Sequence, residues 1–178
     1  LDRGFLFADG VYEVIPAYNG VLFRFDEHLQ RLERSLAEIG IHNPHDPAQW
    51  RSLCDSLVAH NGGGNLSVYL QITRGAAQKR DHAFPVPPVT PTVFMMTSPV
   101  AVPAADSPDT AQGSLAITLD DIRWARCDIK SISLLPNGLL RQQGGEAGAA
   151  EAILLRDGFV TEGSASNVFI VRNGTIFT

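Results

Sequence analysis

With 178 residues, 44% of them hydrophobic, the chain is long enough to bury a sizeable core as one large or two small domains. A formal net charge of -5, with no basic run or aromatic-interleaved basic patch, speaks against nucleic acid as a partner. No apolar stretch is long enough to span a bilayer, the two cysteines (Cys54 and Cys127) make no disulfide framework, and the histidines show no metal-ligand spacing, so no metal is expected and a reduced, cytoplasmic setting is the default.

Residues 11–18 and 21–25 are β-rich and are joined by Asn19-Gly20, a tight-hairpin signal. Asp26 is then expected to N-cap a helix in which Leu29, Leu32, Leu36 and Ile39 recur at helical spacing, with Gly40 as its stop. Pro47 opens a second helix whose apolar residues are Trp50, Leu53, Leu57 and Val58, ending at Asn61-Gly62-Gly63-Gly64. Leu66, Val68, Leu70 and Ile72 alternate with Ser67, Tyr69, Gln71 and Thr73, the pattern of a strand, and Thr92 to Met96 reads as another. Residues 99–113, rich in Pro, Ala, Asp and Ser, are expected to link a small N-terminal α/β domain (1–98) to a second domain (114–178). The second half is predicted as a strand near Ser114 to Leu119 and a helix near Asn137 to Gly148, weakened by Gly144 and Gly145. A strand at Glu151 to Arg156 and an extended segment from Phe159 to Val171 follow, with hairpin turns at Asp157-Gly158 and Asn173-Gly174.

Lysine is scarce: only Lys79 and Lys130 occur among the 14 basic residues. Lys79 lies in the polar run Gln78-Lys79-Arg80-Asp81-His82, whereas Lys130 is flanked by Ile129, Ile132, Leu134 and Leu135. Apolar surroundings strip hydration from an ammonium and favour the neutral amine, which can attack an aldehyde carbon. Considered alone, a lysine near apolar residues more often snorkels to water, a carboxylate such as Glu162 in a Gly/Ser turn is usually exposed, and an arginine such as Arg31 on a charged helix is usually solvated.

Several words in the chain occur together and in order: Asp2-Arg3-Gly4-Phe5 with Asp9-Gly10-Val11-Tyr12-Glu13, Glu27-His28-Leu29-Gln30-Arg31-Leu32, Cys127-Asp128-Ile129-Lys130-Ser131, and Thr161-Glu162-Gly163-Ser164-Ala165-Ser166-Asn167-Val168-Phe169. In these words the chain resembles, nearly end to end, the fold-type IV (class IV) aminotransferases that use pyridoxal 5'-phosphate (PLP). That family includes D-amino-acid transaminases, branched-chain aminotransferases and aminodeoxychorismate lyase. The resemblance implies an α+β fold of two α/β domains, the second incomplete here, because chains of this family begin earlier and continue further; an internal fragment of a longer enzyme is expected. It implies Lys130 as the catalytic amine that binds the cofactor covalently and shuttles the substrate proton. Glu162 is implied as partner of the ring nitrogen and Arg31 as phosphate ligand.

Substrate class turns on Arg80-Asp81-His82, which follows Thr73-Arg74-Gly75 as the Arg-x-His pair does in D-amino-acid transaminases. Two cationic donors on a loop make a carboxylate trap, and the family adds a tyrosine hydroxyl at the position of Tyr12. Without the resemblance, the same residues read as a solvated polar loop. The stretch Leu140-Arg141-Gln142-Gln143-Gly144-Gly145 departs from the more regular helix of D-specific relatives. The expected activity is transamination between a D-amino acid and a 2-oxo acid in a homodimer, with Arg80 and His82 serving the neighbouring subunit. Two alternatives are a branched-chain L-amino-acid aminotransferase or aminodeoxychorismate lyase of the same fold, and a non-catalytic fragment or scaffold.

Overall fold

The computed structural model describes residues 1–101 and 113–178, so most of the expected linker, 99–113, lies outside the described residues. The chain divides into two compact units, Leu1–Val102 with Arg126–Ser133, and Pro103–Ala125 with Leu134–Thr178.

The first unit is built on an antiparallel sheet of order β2-β1-β3-β4, formed by β1 (Gly10–Tyr18), β2 (Val21–Leu22), β3 (Leu66–Thr73) and β4 (Thr92–Pro99). Asn19 and Gly20 take φ 50° and 80°, the two positive values that the mirror-image tight turn between β1 and β2 requires. β1 pairs with β3 so that Val11 faces Ile72, Glu13 faces Leu70 and Ile15 faces Val68. Residues opposite each other share a face, so one side of the sheet is almost wholly apolar and is sealed from water. Against it pack α2 (Phe25–Glu38), through Leu32 and Leu36, and α3 (Pro47–His60), through Trp50, Cys54 and Val58. A short helix, α1 (Arg3–Phe7), precedes β1.

Two boundaries differ from the sequence expectation. β2 is only two residues long, because Arg24 takes φ 50° and turns the chain straight into α2 at Phe25; Asp26 therefore lies in the helix's first turn, where it complements the helix dipole rather than capping it. α3 does start at Pro47, held by a capping box in which Asp46 accepts from Gln49 N–H at 2.8 Å and the Gln49 side chain accepts from Asp46 N–H at 3.0 Å. On its buried face Cys54 replaces Leu53, which is 39% exposed; burial, with the charge of Asp55, pushes the Cys54 thiol up to about 12. Gly40, at φ 63°, ends α2 as expected, and Ile41 N–H reaches back to Leu36 C=O at 3.0 Å.

In the second unit β5 (Ala116–Asp120) runs parallel to β6 (Glu151–Arg156), and α4 (Leu135–Glu146) supplies the crossover that parallel strands need. Its small core joins Leu140 of α4 to Ala152 and Leu154 of β6, with Ile117 and Leu119 packed alongside. β6 turns through Asp157-Gly158 into antiparallel β7 (Phe159–Gly163), and β8 (Ile170–Arg172) and β9 (Thr175–Phe177) form a separate hairpin around Asn173-Gly174.

The extended segment expected from Phe159 to Val171 is broken after Gly163. Gly163 N–H donates to Ser166 C=O at 3.0 Å, and a Cβ on residue 163 would stand 2.6 Å from that same oxygen, so only glycine permits the turn. Glu151 closes the loop from below: its carboxylate accepts from the hydroxyls of Ser164 and Ser166 and from the N–H groups of Ala152 and Ser164. Burial alone would raise the Glu151 carboxyl, but the hydrogen bonds from Ser164, Ser166 and Ala152 outweigh it and bring it down to about 2.

Two stability tests follow from this packing. Leu36→Ala removes a fully buried side chain at the α2–sheet interface and is expected to cost about 2–5 kcal/mol in urea unfolding. The depressed Glu151 carboxyl contributes stability that is complete above its ordinary value of 4.5 and is lost as pH falls toward about 2. In Glu151→Gln the urea midpoint should accordingly be lower than in the parent at neutral pH, with the difference shrinking through that window.

Candidate active site

Lys130 lies on the segment that rejoins the first unit. That segment runs along the start of β1: Tyr12 N–H donates to Lys130 C=O at 3.0 Å, and Ile132 N–H to Gly10 C=O at 3.1 Å. On its other side Lys130 N–H reaches Ser35 Oγ of α2 at 3.4 Å. The backbone of the lysine is thus tied to both a strand and a helix, and its Nζ stands 4.3 Å from the centre of the Tyr12 ring. The expected apolar surround is only partly present. Ile129 is buried and Ile132 half-buried, but Leu134 and Leu135 are 40% and 75% exposed, and the amine stands against the aromatic face of Tyr12. Lys79, by contrast, is exposed and pairs with Asp81 at 3.3 Å.

Arg31 lies one helical turn before Ser35, on the same face of α2. It is not a free surface charge. Its Nε and Nη2 both donate at 2.6 Å to Glu13, whose side chain has no exposure to solvent. His28 Nδ1 lies 2.8 Å from the same carboxylate. Burial pushes the Glu13 carboxyl up, but the hydrogen bonds and charges of Arg31 and His28 prevail and hold it below its ordinary value. The same fork raises Arg31. Nη1 of Arg31 makes no hydrogen bond among the described residues and is available to an anion.

Sequence reasoning missed Glu13 and His28. A signal for Glu13 was present: it falls on the inward period of β1 with Val11 and Ile15, and an acid at an inward position needs a partner.

Tyr12 lies on the opposite face of the sheet from Glu13, stacked on Tyr69 with ring centres 5.7 Å apart, and Tyr69 donates its hydroxyl proton to Gln71 at 2.7 Å. Arg80 and His82 follow β3 on an exposed loop. The structure brings their side chains together on one ring: Arg80 lies 4.9 Å and His82 5.3 Å from the centre of Phe7.

Glu162 belongs to the second unit. It is the fourth residue of β7, paired across from Leu154, just before the Gly163 turn. Arg123 Nη1 donates to its carboxylate at 2.5 Å. Arg123 in turn is gripped by Asp121, through Nε at 2.9 Å and Nη2 at 3.0 Å, and Thr161 also donates to Asp121 at 2.8 Å. Burial would raise the Asp121 carboxyl, but Arg123 and Thr161 hold it far below the usual carboxylate range. The result is a relay that sets where Glu162 points. Neither Asp121 nor Arg123 stands out in the sequence, since an acid and an arginine two residues apart is a commonplace spacing.

The family description "Amino-transferase class IV" matches residues 10–178. D-alanine aminotransferase of Bacillus licheniformis is 47% identical over 177 residues, a span of 99% of this chain and 61% of the relative, so the chain covers about three fifths of the length of that curated protein. Among solved structures, a hypothetical aminotransferase from Mycobacterium tuberculosis in its PLP-bound form superposes with a TM-score of 0.76 at 26% identity, over 97% of this chain and 61% of the other. The branched-chain amino acid aminotransferase of Escherichia coli superposes with a TM-score of 0.85 at 23% identity, over 99% of this chain and 60% of the other, and shares the fold alone. The α+β fold, the ordered motifs and the family match converge: this chain belongs to the class IV aminotransferases.

Proposed function

We propose that the chain carries part of the machinery of a PLP-dependent transaminase that moves an amino group from a D-amino acid to a 2-oxo acid. The observations that carry this reading lie within one unit: the Lys130 amine held over the Tyr12 ring, and the Arg31 fork whose Nη1 has no hydrogen-bond partner among the described residues. The 47% identity to a D-alanine aminotransferase supports the D-amino-acid class. The donor set fits the cofactor: a primary amine for its aldehyde, a guanidinium for its phosphate and, in the second unit, a carboxylate for its ring nitrogen. When bound, pyridoxal phosphate supplies an electron-accepting ring conjugated to the substrate.

In this reading Lys130 Nζ holds the covalent position until substrate arrives and then moves the proton at the substrate Cα. Arg31 binds phosphate through Nη1, while Glu13 holds its other two nitrogens and so fixes the direction of the fork. Glu162 keeps a proton on the ring nitrogen, its direction set by Arg123. Arg80 and His82, with the Tyr12 hydroxyl, receive the substrate α-carboxylate and orient Cα toward the lysine. The reading includes a homodimer in which the Arg80–His82 loop serves the partner's site. The exposed strip of Val14, Phe94 and Met96 on the open face of the sheet is surface of the kind a second copy covers.

Lys130→Ala should abolish both turnover and the visible, borohydride-reducible chromophore of the cofactor-loaded protein, whereas Lys79→Ala should leave both intact. Reductive labelling that maps to Lys79 removes Lys130 from the covalent role. Glu162→Gln should retain the chromophore yet lose orders of magnitude in turnover, each tenfold loss being about 1.4 kcal/mol of barrier. Matched D- and L-amino acids decide the substrate class. If L-leucine, L-isoleucine or L-valine outperforms every D-amino acid, the branched-chain alternative replaces this one.

A further inference from the structure

The loop that bears Arg80 and His82 has no strand or helix of its own, so its backbone needs partners from elsewhere. Those partners come from α1. Arg3 is 3% exposed, and its guanidinium donates to three successive carbonyls: Nη1 to Asp81 at 2.6 Å and to Ala83 at 3.3 Å, and Nη2 to His82 at 3.2 Å. Its Nε is held by Asp9 at 2.7 Å, and Asp9 also accepts from Arg74 Nε at 2.8 Å. Arg74 packs 3.6 Å from the centre of the Phe84 ring, two residues beyond His82. Four residues after Arg3, the Phe7 ring meets the side chains of Arg80 and His82 as well as Arg3 itself, at 4.7 Å.

This arrangement uses Arg80 in a particular way. Resting on an aromatic ring engages the flat face of a guanidinium and leaves its edge N–H groups open. Arg80 donates no hydrogen bond among the described residues. Arg3 is the reverse: each of its nitrogens has a protein acceptor, and it is closed to solvent, so it has nothing left for a ligand. One arginine is spent on holding the loop, and the other is held ready.

We propose that Arg3 and Phe7 are the positioning residues of the α-carboxylate trap, Arg3 fixing the backbone of Asp81–Ala83 and Phe7 presenting the Arg80 and His82 side chains, so that α1 sets the preference for substrates bearing a carboxylate. The inference rests on the reading of Arg80 and His82 as that trap. Neither residue touches substrate; both act through the loop.

The test compares two amine donors in the half-reaction of cofactor-loaded protein: D-alanine, and D-alaninol, which has the same stereocentre with an alcohol in place of the carboxylate. Phe7→Leu, a half-buried position that tolerates an aliphatic, and Arg3→Lys, which keeps the charge beside Asp9 but loses the fork, should each raise the half-saturating concentration of D-alanine by about tenfold. D-alaninol should be unaffected. Trypsin cleavage after Lys79 and Arg80 should be faster in Arg3→Lys, a readout independent of turnover. Phe5→Ala, on the exposed side of the same helix, should alter none of these. Equal losses for D-alanine and D-alaninol, or no change in either variant while Arg80→Ala selectively impairs D-alanine, would overturn the positioning role. If Arg80→Ala itself shows no selective loss, the trap reading fails and the role of α1 fails with it. Should Arg3→Lys not fold, Phe7→Leu decides the question alone.

Discussion

A carboxylate sealed from water must be matched by positive charge, and Glu13 is the point where that requirement organises the first unit. It projects from the apolar face of β1, between Val11 and Ile15, into the interface with α2. Breaking such a pair by removing one partner leaves an uncompensated buried charge, a far larger penalty than losing a surface ion pair. The strand and helix are consequently bound to one register: any slip of β1 by one residue would send Glu13 to the open face and Tyr12 into the core. The same contact leaves Arg31 with one nitrogen that has no partner among the described residues. Core packing and the direction of the Arg31 fork are one interaction seen from two sides.

The pattern recurs. Asp9 grips Arg3 and Arg74, Asp121 grips Arg123, and Glu151 gathers the hydroxyls and amides of the Gly163–Ser166 loop. In each case a partly or wholly buried acid holds donors that would otherwise be free to move, and a residue of the proposed chemistry lies immediately next to them. Arginine's planar fork suits this division of labour, because two nitrogens can be committed to a carboxylate while a third projects elsewhere.

The sheet, both long helices and the hairpins were legible from alternation, helical spacing and the Asn-Gly and Asp-Gly turns, because those signals are local and one face of each element is buried. Boundaries were less so: Asp26 has the chemistry of a cap, but the left-handed turn at Arg24 starts α2 before it, and a lone positive φ at arginine leaves no trace in composition. Lys130, Glu162 and Arg31 were singled out through ordered motifs, which speak to residue identity and say nothing of partners. Arg3 and Glu13 stand inside those motifs with no role attached to them, and Arg123 stands outside them. Their roles depend on pairings across 18, 39 and about 80 positions of sequence, and no local pattern carries contacts of that range.

The path of the chain has a consequence for how the protein is made. The first unit draws on residues up to the end of β4 and then, after the chain has contributed β5 to the other unit, on Arg126–Ser133. During synthesis the four-stranded sheet and its helices can therefore condense while the edge of β1 at Gly10–Tyr12 is still without its neighbour. The strap that bears Lys130 emerges later, and its Ile129 is the part of it that completes the core of the first unit.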